Sequence, residues 1–201
     1  IETIATYQPL IIVCDDVTDL NHYLKSIDRK NIYIIETEIN DTWARDHAAI
    51  TVQQEDSFLI YNFVFNGWGL KFAADKDNLI TGELWDKGIY NAKELIHPGL
   101  VLEGGSIESD GRGTLLTTTH CLLSPNRNPH LTKLQIENKL KELFGLKNVL
   151  WLEHGHLLGD DTDAHIDTVA RFCDEQTIAY VQCTDMDEVH YKDLKIMEEE
   201  L

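Results

Sequence analysis

An α/β architecture of short strands alternating with helices is predicted by three features of these 201 residues. Apolar runs about five residues long recur along the chain, a length that suits buried strands rather than helices. One segment, 134–144, instead sets its apolar residues at helical spacing. Strand-like and helix-like stretches also follow one another in a strand–strand–helix–strand rhythm, although no repeat of residue identity accompanies it. Taken in order, 10–14 and 31–36 read as strands. Between them, 19–28 places Leu20, Tyr23, Leu24 and Ile27 on one helical face, with Asp19 as the cap. Residues 47–53 and 58–65 read as strands joined by polar Glu55-Asp56-Ser57, and 76–96 reads as helical in part, interrupted near Gly82 and Gly88. Residues 100–102 and 114–118 read as strands around a glycine-rich turn. In the helix over 134–144, Ile136, Leu140, Leu143 and Phe144 form the stripe and Gly145 is the stop. Strands follow at 148–152, 166–172 and 177–182, and a last helix starts after Asp187.

Length and composition bound the function. A chain of 201 residues buries one substantial core, so one domain is expected. Seventeen Lys and Arg against 35 Asp and Glu give a net charge of −18, which repels phosphate and argues against a nucleic-acid partner. The same charge attracts a cationic ligand by long-range steering. No apolar run is long enough to span a bilayer and no signal peptide is evident, so neither a membrane partner nor a membrane location is expected. Cys14, Cys121, Cys173 and Cys183 are scattered without C-x-x-C spacing, which suits reduced thiols in the cytoplasm.

The densest chemistry lies at Gly159-Asp160-Asp161-Thr162-Asp163-Ala164-His165-Ile166-Asp167, where four carboxylates and one imidazole share nine residues. Like charges so close need solvent or a cation among them. On an extended strand, His165 and Asp167 would project to one face and aim a proton-transfer group and an anion at one spot. A solvated acidic turn is the plain reading. An EF-hand fails: counted from Asp161, its sixth position is Ile166 and its twelfth is Phe172. Zinc held by His154, His156 and His165 with Asp161 is compatible with the spacing.

Further segments decide between these readings. Asp41-Thr42-Trp43-Ala44-Arg45-Asp46 sets an aromatic beside charges. Leu102-Glu103-Gly104-Gly105-Ser106-Ile107-Glu108-Ser109-Asp110-Gly111-Arg112-Gly113-Thr114 precedes Cys121-Leu122-Leu123-Ser124-Pro125-Asn126-Arg127-Asn128, and Phe65-Asn66-Gly67-Trp68-Gly69 lies upstream of both. With the acidic segment, these resemble, in order, the W-x-R-D-x-G, F-N-A-W-G, E-G-G-x-I-x-x-D-G-x-G-T, C-L-L-x-x-N-R-N and D-D-T-D-G-H-V-D segments of the agmatine deiminase and bacterial peptidylarginine deiminase family. The resemblance extends from about Asn40 to Phe172.

The resemblance implies a pentein fold, an α/β propeller of ββαβ units around a central site. It implies hydrolysis of a guanidinium to a urea with release of ammonia, through a cysteine thiouronium and without a cofactor or metal. The implied ligand is a cationic guanidinium small molecule, agmatine first, with peptidylarginine and free arginine as alternatives. A homodimer is the default assembly. Asp46 and Asp167 match the aspartates that grip the guanidinium, His165 the general acid/base, and Trp43 an aromatic lying against the substrate. Glu103 lines the site or serves the structure. Gly104, Gly105, Gly111 and Gly113 are expected in tight turns, Arg127 as a loop-locking donor, Arg45 as an internal partner for an acid, and Trp68, Trp85 and Trp151 in packing.

The chain departs from the family pattern in places. His47-Ala48-Ala49 stands where the family has x-G-P, and Ala164 where it has glycine. The family's nucleophile lies in a segment resembling G-G-G-N-I-H-C, which does not occur here. The chain is therefore expected to be part of a longer propeller, with the remaining blades and the thiol beyond Leu201. A metal-dependent hydrolase and a non-catalytic guanidinium-binding relative are the other readings.

Overall fold

The structure, a computed structural model, describes all residues from Ile1 to Leu201. Helix α1 (Glu2–Tyr7) leads into β1 (Leu10–Cys14), α2 (Val17–Tyr23) and β2 (Ile32–Glu36), and β1 and β2 pair in parallel with Leu10 opposite Ile32. A single turn, α3 (Ala44–His47), then precedes β3 (Ile50–Gln54), β4 (Ser57–Tyr61), a second single turn α4 (Gly67–Leu70), α5 (Asp77–Asp86) and β5 (Glu94–Ile96). Here β3 and β4 are antiparallel while β5 joins β4 in parallel. The plan then repeats. A 3₁₀ turn (Gly104–Ser106) precedes β6 (Ile107–Ser109), β7 (Thr114–Thr118), α6 (Thr119–Leu122), α7 (Lys133–Phe144) and β8 (Asn148–Leu152), with β6–β7 antiparallel and β7–β8 parallel. A further 3₁₀ turn (Ile166–Thr168) opens the next round, with antiparallel β9 (Ala170–Asp174) and β10 (Thr177–Tyr180) followed by α8 (Tyr191–Glu200). The parallel third strand requires a crossover, and the intervening helix supplies it. This is the expected ββαβ rhythm.

Two apolar clusters hold the units from β3 onward together, and β7 serves both. Its side chains alternate between faces, so Leu115 packs with Tyr61, Phe63, Leu100, Leu102, Ile136 and Leu140, while Leu116 packs with Leu152, Ile166, Val169, Leu194 and Met197. Ile136 and Leu140, one helical turn apart, are the buried contacts of α7, with Leu143 and Phe144 packed beside them. Thr132 and Gln135 form a reciprocal cap at the start of α7, and Gly145, at φ 64°, ends it as expected.

Several elements depart from expectation for identifiable reasons. α2 starts earlier than residue 19, because Asp16 rather than Asp19 caps it by accepting the Thr18 and Asp19 amides. His47 belongs to the α3 turn, and strand pairing begins only at Ile50. Residues 63–65 stay buried at Phe63 and Phe65 but leave the ladder after Tyr61, and 100–102 forms only a bridge of Val101 to Val64. Within 76–96, α5 runs through Gly82 and a short strand closes the segment. Residues 166–168 form a 3₁₀ turn, and the strand starts at Ala170. His165 and Asp167 therefore converge through a turn rather than by strand alternation.

Candidate functional site

Three of the single turns meet at one point. α3 carries Trp43 at its start and Asp46 inside it, with the Asp46 amide donating to the Trp43 carbonyl at 2.9 Å. The turn at Gly104–Ser106 packs against α3 so closely that a Cβ on Gly104 would collide with the Arg45 carbonyl. The turn at Ile166–Thr168 brings His165 and Asp167 to the same place from the other side. The common point is Gly105. A methyl group there would lie 2.5 Å from His165 Nδ1, 2.6 Å from Asp46 Oδ1 and 2.9 Å from Asp167 Oδ2. Gly104 and Gly105 lie in the expected tight turn and also serve close approach, whereas Gly111 and Gly113 take positive φ.

Asp46 is held on both oxygens. Oδ1 accepts the Gly105 amide at 2.9 Å, and Oδ2 accepts the Trp68 indole N–H at 3.0 Å. His165 is 1% exposed, its Nδ1 lies 3.5 Å from Asp46 Oδ1, and its Nε2 is buried without a hydrogen-bond partner. Burial pushes the His165 pKa down, against the opposing pull of Asp46, Glu103 and Asp167, so the neutral imidazole is favoured. Burial also raises the Asp167 carboxyl, and the nearby Asp46 charge adds to that, while His165, Arg45 and Arg171 pull it back.

The acidic segment resolves into four separate tasks. Asp160 ties its own loop by accepting the Thr162 and Ala164 amides at 2.8 and 2.6 Å, and these bonds overcome burial to lower its pKa. Asp163 takes Lys71 and Arg127 as partners, each at 2.6 Å, and its pKa too falls despite burial. Asp161 lines the cavity and Asp167 faces the meeting point. Asp163 and Ala164 both take left-handed backbone, φ 66° and 63°, so Ala164 adopts the conformation natural to the family's glycine.

Above the meeting point lies a cavity of about 340 Å³ walled by Trp43, Trp68 and Phe72, with Asp41, Asp46, Asp161 and Asp167 as its acids, His165 at its base and Arg45 as its one cation. Trp43 is 64% exposed and stands at the mouth. Arg45 pairs with no acid directly; its guanidinium donates to the Ile107 carbonyl at 3.3 Å. Glu103 does not line the cavity. It is fully buried, forked by Arg127 Nε at 3.0 Å to each oxygen, and lies within 4.8 Å of ligand atoms on Cys121 and His165. A buried carboxylate needs a cation, and Arg127 supplies it while also reaching Asp163 and the Thr162 carbonyl at 2.9 Å. Arg127 is thus the expected loop lock.

The metal set considered from spacing does not assemble. His154 pairs with Glu200 at 2.6 Å, His156 stands beside His120, and the one group of close ligand atoms is Glu103, Cys121 and His165, where Arg127 occupies both Glu103 oxygens. None of the four cysteines lines the cavity; all are free thiols, and burial pushes the Cys121 thiol well up. Trp85 is half-buried on α5, and Trp151 packs under Lys133 with its N–H on Glu137. Trp68, expected only to pack, instead donates to Asp46. Phe72 joins the cavity wall without a signal in the spacing, whereas Asp41, Trp68 and Asp161 sit inside segments already singled out.

The whole chain, residues 1–201, matches the family model of the Porphyromonas-type peptidyl-arginine deiminases. An agmatine deiminase of Pseudomonas syringae pv. syringae (strain B728a) is 35% identical over 178 residues, which cover 86% of this chain and 46% of that protein. A cysteine-to-serine variant of C. jejuni agmatine deiminase, solved with substrate bound, superposes with a TM-score of 0.91 at 41% identity, over 99% of this chain and 58% of that one. The agmatine deiminase of Enterococcus faecalis gives a TM-score of 0.84 at 29% identity, over 98% and 55% of the two chains. The chain spans about half the length of the curated relatives it matches. The repeated ββαβ units are accordingly those of the pentein propeller, and the chain belongs to the Porphyromonas-type peptidyl-arginine deiminase family.

Proposed function

We propose that the protein to which these residues belong hydrolyses the guanidinium of agmatine to a urea, giving N-carbamoylputrescine and ammonia. The observation that carries this reading is the convergence of Asp46, His165 and Asp167 on Gly105 at the base of an aromatic, acid-rich cavity. A planar guanidinium presents paired N–H donors, which match carboxylates on two sides. Asp46 and Asp167 offer those carboxylates, and Trp43 offers a face to the cation or its aliphatic arm, a contact worth about 0.5–2 kcal/mol.

The reaction balances around one proton carrier. A cysteine thiol, supplied by the protein outside these residues, gives its proton to the neutral His165 imidazole and forms a C–S bond to the guanidinium carbon. His165 protonates the departing nitrogen, the C–N bond breaks, and ammonia leaves a thiouronium. The neutral imidazole then takes a proton from water, oxygen adds to the same carbon, and the C–S bond breaks to return the thiol. His165, with its pKa held down, suits the second half of this cycle.

Asp41 and Asp161 at the cavity wall, where four acids outnumber the single guanidinium of Arg45, favour an amine at the far end of the substrate over a carboxylate. That supports agmatine over free arginine, and a role in putrescine supply in the cytoplasm. Peptidylarginine is the second reading, favoured by the family model that matches the chain. These residues form part of one propeller domain, and the complete protein assembles as a homodimer.

The test is an assay of the complete gene product with agmatine, a peptidylarginine and free arginine, with ammonia and the ureido product as readouts. Agmatine is expected to give the highest kcat/KM, and His165→Ala is expected to abolish turnover. Absence of ammonia release from every guanidine sinks the proposal, and preference for the peptide moves the assignment to the second reading.

A further inference from the structure

The α4 turn has a left-handed backbone. Gly67, Trp68, Gly69 and Leu70 all have positive φ, at 66°, 56°, 83° and 69°. The Leu70 amide bonds back to Asn66 O at 2.9 Å and the Lys71 amide to Gly67 O at 3.0 Å, so the segment is one left-handed helical turn. Left-handed backbone is unfavourable for residues with a Cβ, and Trp68 and Leu70 are both such residues. A strained turn persists only where its surroundings fix it, and here they do. Asn66 Oδ1 accepts the Gly69 amide at 2.9 Å while its Nδ2 donates to Asn126 O at 2.8 Å. The Asn78 side chain holds both the amide and the carbonyl of Phe65. Lys71 anchors the far end on Asp163 and on the Asp161 carbonyl.

What this turn delivers is one N–H. The indole is 5% exposed, stacked edge-on against Phe65 and Phe72 at 4.9 and 5.5 Å, and its Nε1 donates to Asp46 Oδ2 at 3.0 Å. The Gly105 amide meets the other oxygen at 2.9 Å. Two donors, one on each oxygen, fix the rotation of the carboxylate about its Cβ–Cγ bond. An ionised carboxylate has about four lone-pair positions, so one on each oxygen stays available for a bidentate partner.

We infer that Trp68 is a positioning residue, whose indole N–H holds the Asp46 carboxylate in the orientation that receives a guanidinium edge-on. This inference rests on the deiminase reading for its kinetic consequence but not for its geometry. Trp68→Phe keeps an aromatic ring in the stack and removes the donor, together with part of the ring volume. In the complete gene product this variant is expected to lower kcat/KM for agmatine by about ten- to hundredfold, the range for losing a charge-assisted bond, with the loss carried mainly by KM. A tryptophan that merely packs would instead leave KM unchanged in any variant that still folds. The second measurement needs no turnover. The Trp68 indole ¹H–¹⁵N resonance, identified by its absence from Trp68→Phe, is expected to move on addition of methylguanidinium and to move upfield in Asp46→Asn. A kcat/KM within twofold of wild type overturns the inference. If the wild type releases no ammonia the deiminase reading falls by itself, and an indole resonance unmoved by Asp46→Asn then overturns the positioning role as well.

Discussion

Asp167 holds its proton more tightly in the folded chain than a free carboxyl does, because burial and the Asp46 charge both oppose its ionisation. The sign of the consequence is fixed. A raised carboxyl pKa means that the folded state loses stability as pH rises through that value, since the ionised form is the one the fold disfavours. Asp167→Asn removes the charge and keeps the shape. In the complete protein it is expected to abolish ammonia release while leaving the melting temperature at pH 7.5 equal to or above that of wild type; a lower melting temperature would show that the carboxylate stabilises the fold. His165 has the opposite sense of shift and the opposite consequence: its lowered pKa makes the fold lose stability as pH falls from about 6.5, the ordinary imidazole value, towards that lowered pKa. Ala164 is simpler. At φ 63° it carries left-handed strain that glycine does not, so Ala164→Gly is expected to stabilise the chain by about 0.5–1 kcal/mol in denaturant titration, and a loss of stability would mean that its methyl packing in the buried site outweighs the strain.

At the scale of elements, the site is built by repetition. α3, the turn at Gly104–Ser106 and the turn at Ile166–Thr168 each immediately precede the first strand of a ββ pair, and each delivers its functional groups from that same position. The repeat is invisible in residue identity because the turns carry different chemistry: Asp46 in one, bare backbone at Gly105 in the next, His165 and Asp167 around the third. Arg127 locks two of these turns, joining Glu103 to the acidic loop. Arg127→Met would leave Glu103 charged and buried without a partner and is expected to cost about 3–5 kcal/mol, with part of it recovered in the double variant carrying Glu103→Gln. A double variant no more stable than Arg127→Met would mean the loss is packing rather than charge.

Legibility at this level followed the physics. The α7 stripe was readable because a 3.6-residue period survives in any context, and Gly145 could be placed because a helix stop wants left-handed backbone. Asp46, His165 and Asp167 were readable as candidates because acids and an imidazole beside an aromatic are costly unless used. The turn at 166–168 was not readable as such: Ile166, Val169 and Ala170 are apolar at a spacing a strand also allows, and the turn is settled by the Thr168 and Val169 amides bonding back to the His165 and Ile166 carbonyls, with the Thr168 hydroxyl also on His165. Trp68 could not be told from a packing residue, because its role depends on a left-handed turn that no local pattern signals.

Over the whole molecule, a net charge of −18 surrounds a cavity whose wall carries four acids and one arginine. Such a field draws cations inward and is screened over about 8–10 Å at physiological ionic strength. The association rate of a guanidinium ligand with the complete protein is therefore expected to fall steadily between about 20 and 500 mM salt while its dissociation rate changes little; a flat association rate in stopped-flow measurements would place the attraction in local contacts alone. The sheet β6–β7–β8 also bears on this scale. With Leu115 in one apolar cluster and Leu116 in the other, neither cluster can loosen without exposing a face of the same strand.

The spacing of the three turns has a kinetic side. Asp46 and Gly105 are 59 residues apart in the chain, and His165 lies as far again beyond. Contacts so distant in sequence close late, after the local hairpins and helices have formed. The pocket is consequently expected among the last features to appear during refolding, and a partly assembled chain would lack the site proposed for a guanidinium. A cationic ligand added during refolding would not guide the early steps. It would trap the finished state, acting as a latch on a door that has already swung shut.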